Sequence, residues 1–155
     1  MRTIFAPNKL DIKKNEKSFF CAGSIELNTA EDWQAELIDK LKTYSDLVIL
    51  NPRRPDFDST AKQEKNDPYF RGQVLWELEA LEKADIIYMY FDPKTKSPIS
   101  LLELGIYCQS SKLIVCCPTG FYRKGNVDIT CEKYGIPVFE TKEDIFEELL
   151  SRLIK

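Results

Sequence analysis

The sequence predicts an α/β domain in which a parallel sheet is covered by helices on both faces. Three observations predict it. Five short β-rich apolar runs alternate with segments of helical periodicity. The runs are continuously apolar, as strands buried on both faces are. The 155 residues, 43% hydrophobic and 30% charged, suit one compact domain, and they show no internal repeat and no linker.

"KSFFCAGS" (17–24) is the first strand, which leaves residues 1–17 as a polar N-terminal arm. A helix over 29–44 comes next: Thr29 with Asp32 gives a T-x-x-D start, and Trp33, Leu37, Leu41 and Tyr44 recur at helical spacing. "LVIL" (47–50) is the second strand. It runs into "NPRRPDFDSTAKQEKNDP" (51–68), a proline-rich loop of a length that small domains usually reserve for function or motion. A helix over 69–83 leads to the third strand, "DIIYMYF" (85–91). After "DPKTKSP" a helix spans 98–110, and "KLIVCCP" (112–118) is the fourth strand. The loop "TGFYRKGN" precedes a short helix near 128–134; "IPVFE" and the helix "TKEDIFEELLSRLIK", capped by Thr141 and Asp144, close the chain. Ligands of open parallel sheets sit outside the carboxyl ends of the strands. Here those ends carry Gly23 and Ser24, the 51–68 loop, the turn from Asp92 to Ser97, and 118–126.

Composition narrows the chemistry. A net charge of −3 gives no basic footprint for nucleic acid. No apolar run approaches the ~20 residues that cross a bilayer, and the N-terminus lacks the apolar core of a secretory signal. Five cysteines show no CxxC pair or other metal-ligand spacing, which fits small hydrophobes in a reduced cytoplasm. There is no histidine, so any catalysis rests on carboxylates, Tyr, Lys or Cys.

Two carboxylates break the apolar pattern. In "PYFRGQVLWELEALEKAD", Phe70, Val74, Leu78 and Leu81 form a stripe; Glu79 and Glu82 point away from it, but Glu77 lies within it. In "SPISLLELGIY", apolar residues cover all sides, which predicts a buried helix with Glu103 inside it. Ser100 and Glu103 spell S-x-x-E, a capping box, but Ser97-Pro98 competes: proline favours the first helical position and makes Ser97 the cap. Two inward acids near strand ends suit chemistry at an anomeric carbon, one as nucleophile and one handling protons. Buried ion pairs give the same pattern, and Arg53, Arg54, Arg71 and Arg123 are available as partners.

"FCAGSIE", "NPRR", "FRGQVLWELEALEKADII", "FDPKTKSPISLLELGIY" and "CPTGFYRKGNVDI" together resemble the nucleoside 2-deoxyribosyltransferase family, a short branch of it, over residues 18–140. The resemblance implies a flavodoxin-like fold with a five-stranded parallel sheet and exchange of the base on a 2'-deoxynucleoside. It implies that Glu103 attacks the anomeric carbon and carries the deoxyribosyl group. The position of Glu77 is usually an aspartate that binds and protonates the base. Ala22, Gly23 and Ser24 would line the base pocket. A neighbouring copy in a homo-oligomer would complete the site, with Asn126 as the matching residue. Six residues before the nucleophile many members carry an aspartate that holds the sugar hydroxyls. This chain has Ser97, as in related deoxynucleoside-monophosphate N-glycosidases where the serine contacts the 5'-phosphate. Asp92, Arg53 and Arg71 complete the expected substrate-binding set, with the arginines of "NPRRPDFD" as phosphate partners.

Three functions compete on this basis: a transferase, a hydrolase of nucleosides or their 5'-monophosphates through the same glutamate, and a non-catalytic nucleotide-binding domain. The expected partners are a 2'-deoxynucleoside and a free nucleobase. No cofactor or metal is implied, because the leaving base and the carboxylates suffice.

Overall fold

A computed structural model describes residues 1–26, 30–58 and 60–153. They form an α/β fold of parallel strands flanked by helices, consistent with the flavodoxin-like class. The chain divides into two compact units, Met1–Cys21 with Asp32–Asp85, and Ala22–Glu31 with Ile86–Lys155.

The first unit contains β1 (Arg2–Phe5), β2 (Lys17–Gly23, to Cys21), β3 (Leu47–Asn51), α1 (Trp33–Lys40) and α2 (Pro68–Lys83). Its strands lie in the order β1-β3-β2. Both neighbours pair in parallel with β3, Thr3 and Phe19 each opposite Ile49. All five residues of β3 are buried, as its unbroken apolar run requires. Phe19, Phe20, Trp33, Leu41, Ile49 and Leu81 make the core around it.

Strand β1 was not expected. The sequence shows five strands and a polar arm, whereas the described residues form six strands, because Arg2–Phe5 adds an edge to β3. Four residues led by a charge give little β signal. Burial and an ion pair hold the strand in place: Ile4, Ala6 and Leu10 are buried, and Arg2 pairs with Glu16 at 2.7 Å.

Helix α1 starts at Trp33, later than its predicted start, with the Asp32 carboxylate accepting from the Ala35 amide at 3.1 Å. The Thr29 half of the predicted signal lies outside the described residues. Asp67 caps α2 through the Phe70 amide at 2.9 Å, with Pro68 at the first helical position. The buried face of α2 carries Gln73, Trp76, Ala80 and Leu81, and Leu78 is exposed. That corrects the stripe read from the aliphatic residues. The large Trp76 ring sets the helix phase instead: it lies 6.4 Å from the Phe20 ring, and its indole donates to the Asn8 carbonyl at 2.7 Å.

The second unit contains β4 (Ile86–Tyr90), β5 (Leu113–Cys116), β6 (Val138–Phe139), α3 (Pro98–Tyr107), α4 (Lys124–Tyr134) and α5 (Lys142–Leu153). Its strands follow chain order, all parallel, with Met89 opposite Val115 and Val115 opposite Val138. Leaving β1 aside, the strand runs read 2-1 and 3-4-5, the two runs of the flavodoxin-like order. Ile145 and Leu149 of α5 and Ile87, Met89 and Ile114 of the strands are wholly buried. The predicted cap of α5 is present: the Thr141 hydroxyl accepts from the Asp144 amide at 3.1 Å and meets its carboxylate at 2.7 Å.

Two expectations for this unit fail. Helix α4 begins at Lys124, inside the predicted loop, where the ammonium of Lys124 bonds the Cys117 carbonyl, Asp128 and Glu140. Helix α3 is not buried all round: Ile99, Leu102 and Ile106 are 58%, 59% and 53% exposed, while Ser100, Glu103 and Leu104 face inward. Among the described residues no helix is long and apolar enough to cross a membrane.

Trp76→Phe keeps a ring against Phe20 but leaves the Asn8 carbonyl without its indole donor. We expect a loss of about 1–2 kcal/mol in urea unfolding with an unchanged m-value. No change in midpoint would show that the Asn8 contact contributes nothing.

Candidate functional site

In the second unit the site begins with a close backbone contact. The Ser24 amide donates to the Tyr90 carbonyl at 2.9 Å. Gly23 has φ +128°, and a Cβ there would sit 2.1 Å from the Tyr90 oxygen. Only glycine passes at that point. The contact fixes Ser24, which is fully buried, against the turn after β4.

Ser24 then organises that turn. Its hydroxyl accepts from the Asp92 amide at 2.8 Å, and lies 2.9 Å from the Thr95 hydroxyl and 2.6 Å from that of Ser97. Thr95 and Ser97 are 2.8 Å apart, which closes a buried triangle of hydroxyls. The Asp92 carboxylate accepts from the Lys94 amide at 2.9 Å, a local turn bond. Ala22, wholly buried beside Gly23, completes the strand end.

Ser97 occupies the N-cap position of α3 but makes no side-chain cap, contrary to expectation. Its left-handed backbone, φ 46°, turns the hydroxyl into the triangle and its amide toward Glu26. The Glu26 carboxylate accepts from that amide at 2.6 Å and also from the Lys96 amide. Glu26 itself has φ 43°. Two non-glycine residues in the left-handed region, joined through one carboxylate, mark a backbone held against its own preference.

Glu103 lies six residues after Ser97 on α3 and is 8% exposed. A position this deep in the helix is not that of a first-turn capping box. Between α3 and α4 runs a groove of about 310 Å³ whose lining includes Leu101, Leu104, Gly105, Arg123, Asn126 and Thr130. Asn126 therefore stands exposed in the first turn of α4, on that groove.

The first unit holds a second polar cluster at the carboxyl end of β3. The Gln73 amide donates to the Pro52 carbonyl at 3.1 Å and to the Glu77 carboxyl at 2.7 Å. Arg53 donates to the Gln34 oxygen at 3.2 Å and stands 3.9 Å from Asp32. Burial raises the Glu77 carboxyl above its usual range, opposed more weakly by the Gln73 bond. Arg54 is committed elsewhere, with a two-point pair to Asp56 at 3.1 Å and the Tyr69 ring beneath it. Arg71 is exposed on α2, and its surroundings give it no part in this cluster.

The structure thus joins Gly23, Ser24, Asp92 and Ser97, and in the first unit it gives Arg53 and Glu77 each a glutamine partner, Gln34 and Gln73. Sequence reasoning missed Thr95, Glu26, Gln34 and Gln73. Thr95 had a signal in its spacing two residues before Ser97; the glutamines had none, since an amide on an apolar face reads as surface. Among the described residues no group of acids and cysteines could hold a metal. The five thiols are buried, and burial pushes those of Cys116, Cys117 and Cys131 up to about 12, which leaves them unreactive.

A family model described as nucleoside 2-deoxyribosyltransferase like matches residues 16–121. Among solved structures, the chain is similar to a conserved protein from Enterococcus faecalis V583. The two share 15% identity with a TM-score of 0.65, over 89% of this chain and 99% of that one, a likeness of fold. No curated protein matches the chain at a significant level.

The geometry yields two tests. Gly23→Ala forces a Cβ onto Tyr90 and should cost about 3 kcal/mol or more in chemical denaturation; a near-neutral result would contradict the close approach. For Glu77, whose folded-state pKa is raised, the stability contribution is full at low pH and falls as pH rises through the raised value. Glu77→Gln should accordingly match the wild type in Tm near pH 4 and exceed it near pH 7. Parallel Tm curves across that range would refute the buried acid.

Proposed function

The chain belongs to the nucleoside 2-deoxyribosyltransferase-like family, and on that premise we propose that it exchanges the base of a 2'-deoxynucleoside by double displacement through Glu103. The observation that carries this reading is the burial of a carboxylate on α3, one and a half turns beyond the Ser97 turn. A carboxylate screened from water is a stronger electrostatic partner for an oxocarbenium-like centre than one in solvent.

In the first half-reaction the Glu103 carboxylate bonds to C1' as the C1'–N bond breaks, and the base leaves with the bonding electron pair and a proton. That proton has to come from a general acid, and Glu77, whose carboxyl burial raises above its usual range, has the chemistry such a role asks for. In the second half-reaction an incoming base attacks C1', the ester to Glu103 breaks, and the proton returns. Water in place of the second base would give hydrolysis by the same path.

The Ser97 surroundings favour a nucleoside over a 5'-monophosphate. Its hydroxyl is engaged with Ser24 and Thr95, and its amide already donates to the Glu26 carboxylate. A phosphate brought there would meet a like charge. Glu26 instead offers a carboxylate to a sugar hydroxyl, the part an aspartate plays in many family members.

We also propose that two copies pair through α3 and α4. Ile99, Leu102 and Ile106 are exposed on α3, as is Ile129, 69% exposed, on α4, the two helices that also line the groove carrying Asn126. In that assembly Asn126 completes the site of the partner. Leu102→Lys should shift light-scattering mass from dimer to monomer and lower activity with it; a monomeric wild type would refute the pairing.

The reaction is tested by incubating the protein with a 2'-deoxynucleoside and a different free base. A new deoxynucleoside is expected, and Glu103→Gln should reduce its formation by about three orders of magnitude or more. Free base and sugar alone would establish hydrolysis instead, and full activity in Glu103→Gln would remove the nucleophile. A 5'-monophosphate donor should be used less well than the nucleoside.

A further inference from the structure

The solvent side of α2 departs from the pattern of a surface helix. Gln73, Trp76, Ala80 and Leu81 form its buried side. At about 100° per residue, the line diametrically opposite runs through Arg71, Leu75, Leu78 and Glu82. Charged and polar side chains belong on this outermost line. Its centre is instead two leucines, Leu75 at 50% and Leu78 at 37% exposure, and only its ends are charged. Val74, half-buried beside Leu78, widens the apolar part. The phase that Trp76 imposes is the cause, since the aliphatic pattern alone puts Leu78 inside. Arg71, which takes no part in the polar cluster of this unit, stands at one end of the line.

The four residues are ordered so that the line complements itself. The point midway between Trp76 and Glu77 is equidistant from Leu75 and Leu78, and equidistant from Arg71 and Glu82. A twofold axis through that point, perpendicular to the helix, lays α2 of a second copy antiparallel on the first. Each Leu75 then meets the other copy's Leu78, and each Arg71 meets the other copy's Glu82. Arg71 and Glu82 lie about 16 Å apart along the helix, so a shallow crossing of about 20° keeps both ends in reach. A parallel arrangement would set Arg71 on Arg71 and Glu82 on Glu82. The charges bordering the line do not compete: Glu79 and Lys83 bond each other at 2.6 Å within the helix. The Glu82 carboxylate has two oxygens and accepts from more than one donor.

We propose that the outer face of α2 is a self-association surface, on which a second copy of this chain packs antiparallel through Leu75 and Leu78 with reciprocal Arg71–Glu82 pairs. The contact is one helix wide, well below the ~800 Å² per partner of a stable complex. It is therefore weak, forming at about 10–100 μM, and it adds to the pairing through α3 and α4. It does not depend on the transferase reading, and it assigns Arg71 to an interface in place of the substrate.

The test is sedimentation velocity of the full chain carrying Leu102→Lys, which leaves α2 as the remaining contact, from about 5 to about 500 μM. Monomer should give way to dimer across that range. Arg71→Glu and Glu82→Arg, added singly, each place like charges at both ends, and each should weaken the dimer by about tenfold or more. An equal mixture of these two variants should regain the original affinity to within about threefold, because both ends of the mixed pair again carry one acid and one base. Leu75→Asp should leave only monomer. All four positions are exposed, so folded melting curves are expected of every variant. No dimer at any concentration, a dimer that neither charge variant weakens, or a mixture that binds no more tightly than its components would each overturn the proposal. The two contacts fail separately. If α3 and α4 do not pair, Leu102→Lys changes nothing and the charge series reads the same. If α2 does not pair, the Leu102→Lys chain stays monomeric while the wild type remains a dimer.

Discussion

The passage of Gly23 across the Tyr90 backbone is the constraint on which the candidate chemistry depends. There is no room for a Cβ at that point, so the chain after β2 is pinned with Ser24 facing the turn beyond β4. Everything downstream is placed in consequence. The Ser24 hydroxyl gathers the Asp92 amide, Thr95 and Ser97; Ser97 adopts a left-handed conformation; and Pro98 starts α3 at a fixed phase. That phase turns Glu103 inward. A glutamate on a freely phased helix would rotate into water, because burying its charge is unfavourable.

The same phase turns Ile99, Leu102 and Ile106 outward. A helix with an acid inside and aliphatic groups outside reverses the ordinary amphipathic pattern. On the proposed reading both departures have one source: the inner face would serve chemistry and the outer face association. In the first unit, Trp76 plays the part that Gly23 plays in the second. By burying its ring against Phe20 and bonding Asn8, it fixes the phase of α2, with Gln73 buried and Glu77 half-buried one turn on. The burial that raises the Glu77 carboxyl is therefore a consequence of core packing, with Gln73 as its moderating partner.

Much of this was legible in the sequence, and the gaps have physical causes. The strands other than β1 and the cap of α5 arise from local chemistry, unbroken apolar runs and a T-x-x-D pair, and they appear where expected. Glu103 was legible because an acid among leucines is locally anomalous. Strand β1 was not, since "RTIF" is stabilised by distant partners, β3 and the Arg2–Glu16 pair. The stripe on α2 was drawn from aliphatic residues and missed that one tryptophan outweighs them. Ser97 is the N-cap residue that Ser-Pro marks, but its hydroxyl makes no cap bond, because the triangle with Ser24 and Thr95, which forms only after folding, engages it. Gln34 and Gln73 were invisible because an amide on an apolar face reads as surface until its folded partners, Arg53 and the Pro52 carbonyl, are known.

The central claim is that a buried glutamate on α3 becomes covalently bound to the sugar. The most direct measurement is peptide mass spectrometry after acid quench of the protein mixed with a 2'-deoxynucleoside in the absence of an acceptor base. A covalent Glu103 intermediate predicts a 2-deoxyribosyl mass addition on the peptide containing that residue, absent from the same peptide in Glu103→Gln and discharged by adding free base. An unmodified Glu103 peptide in a protein that is turning over substrate, or the addition on any other residue, would contradict it.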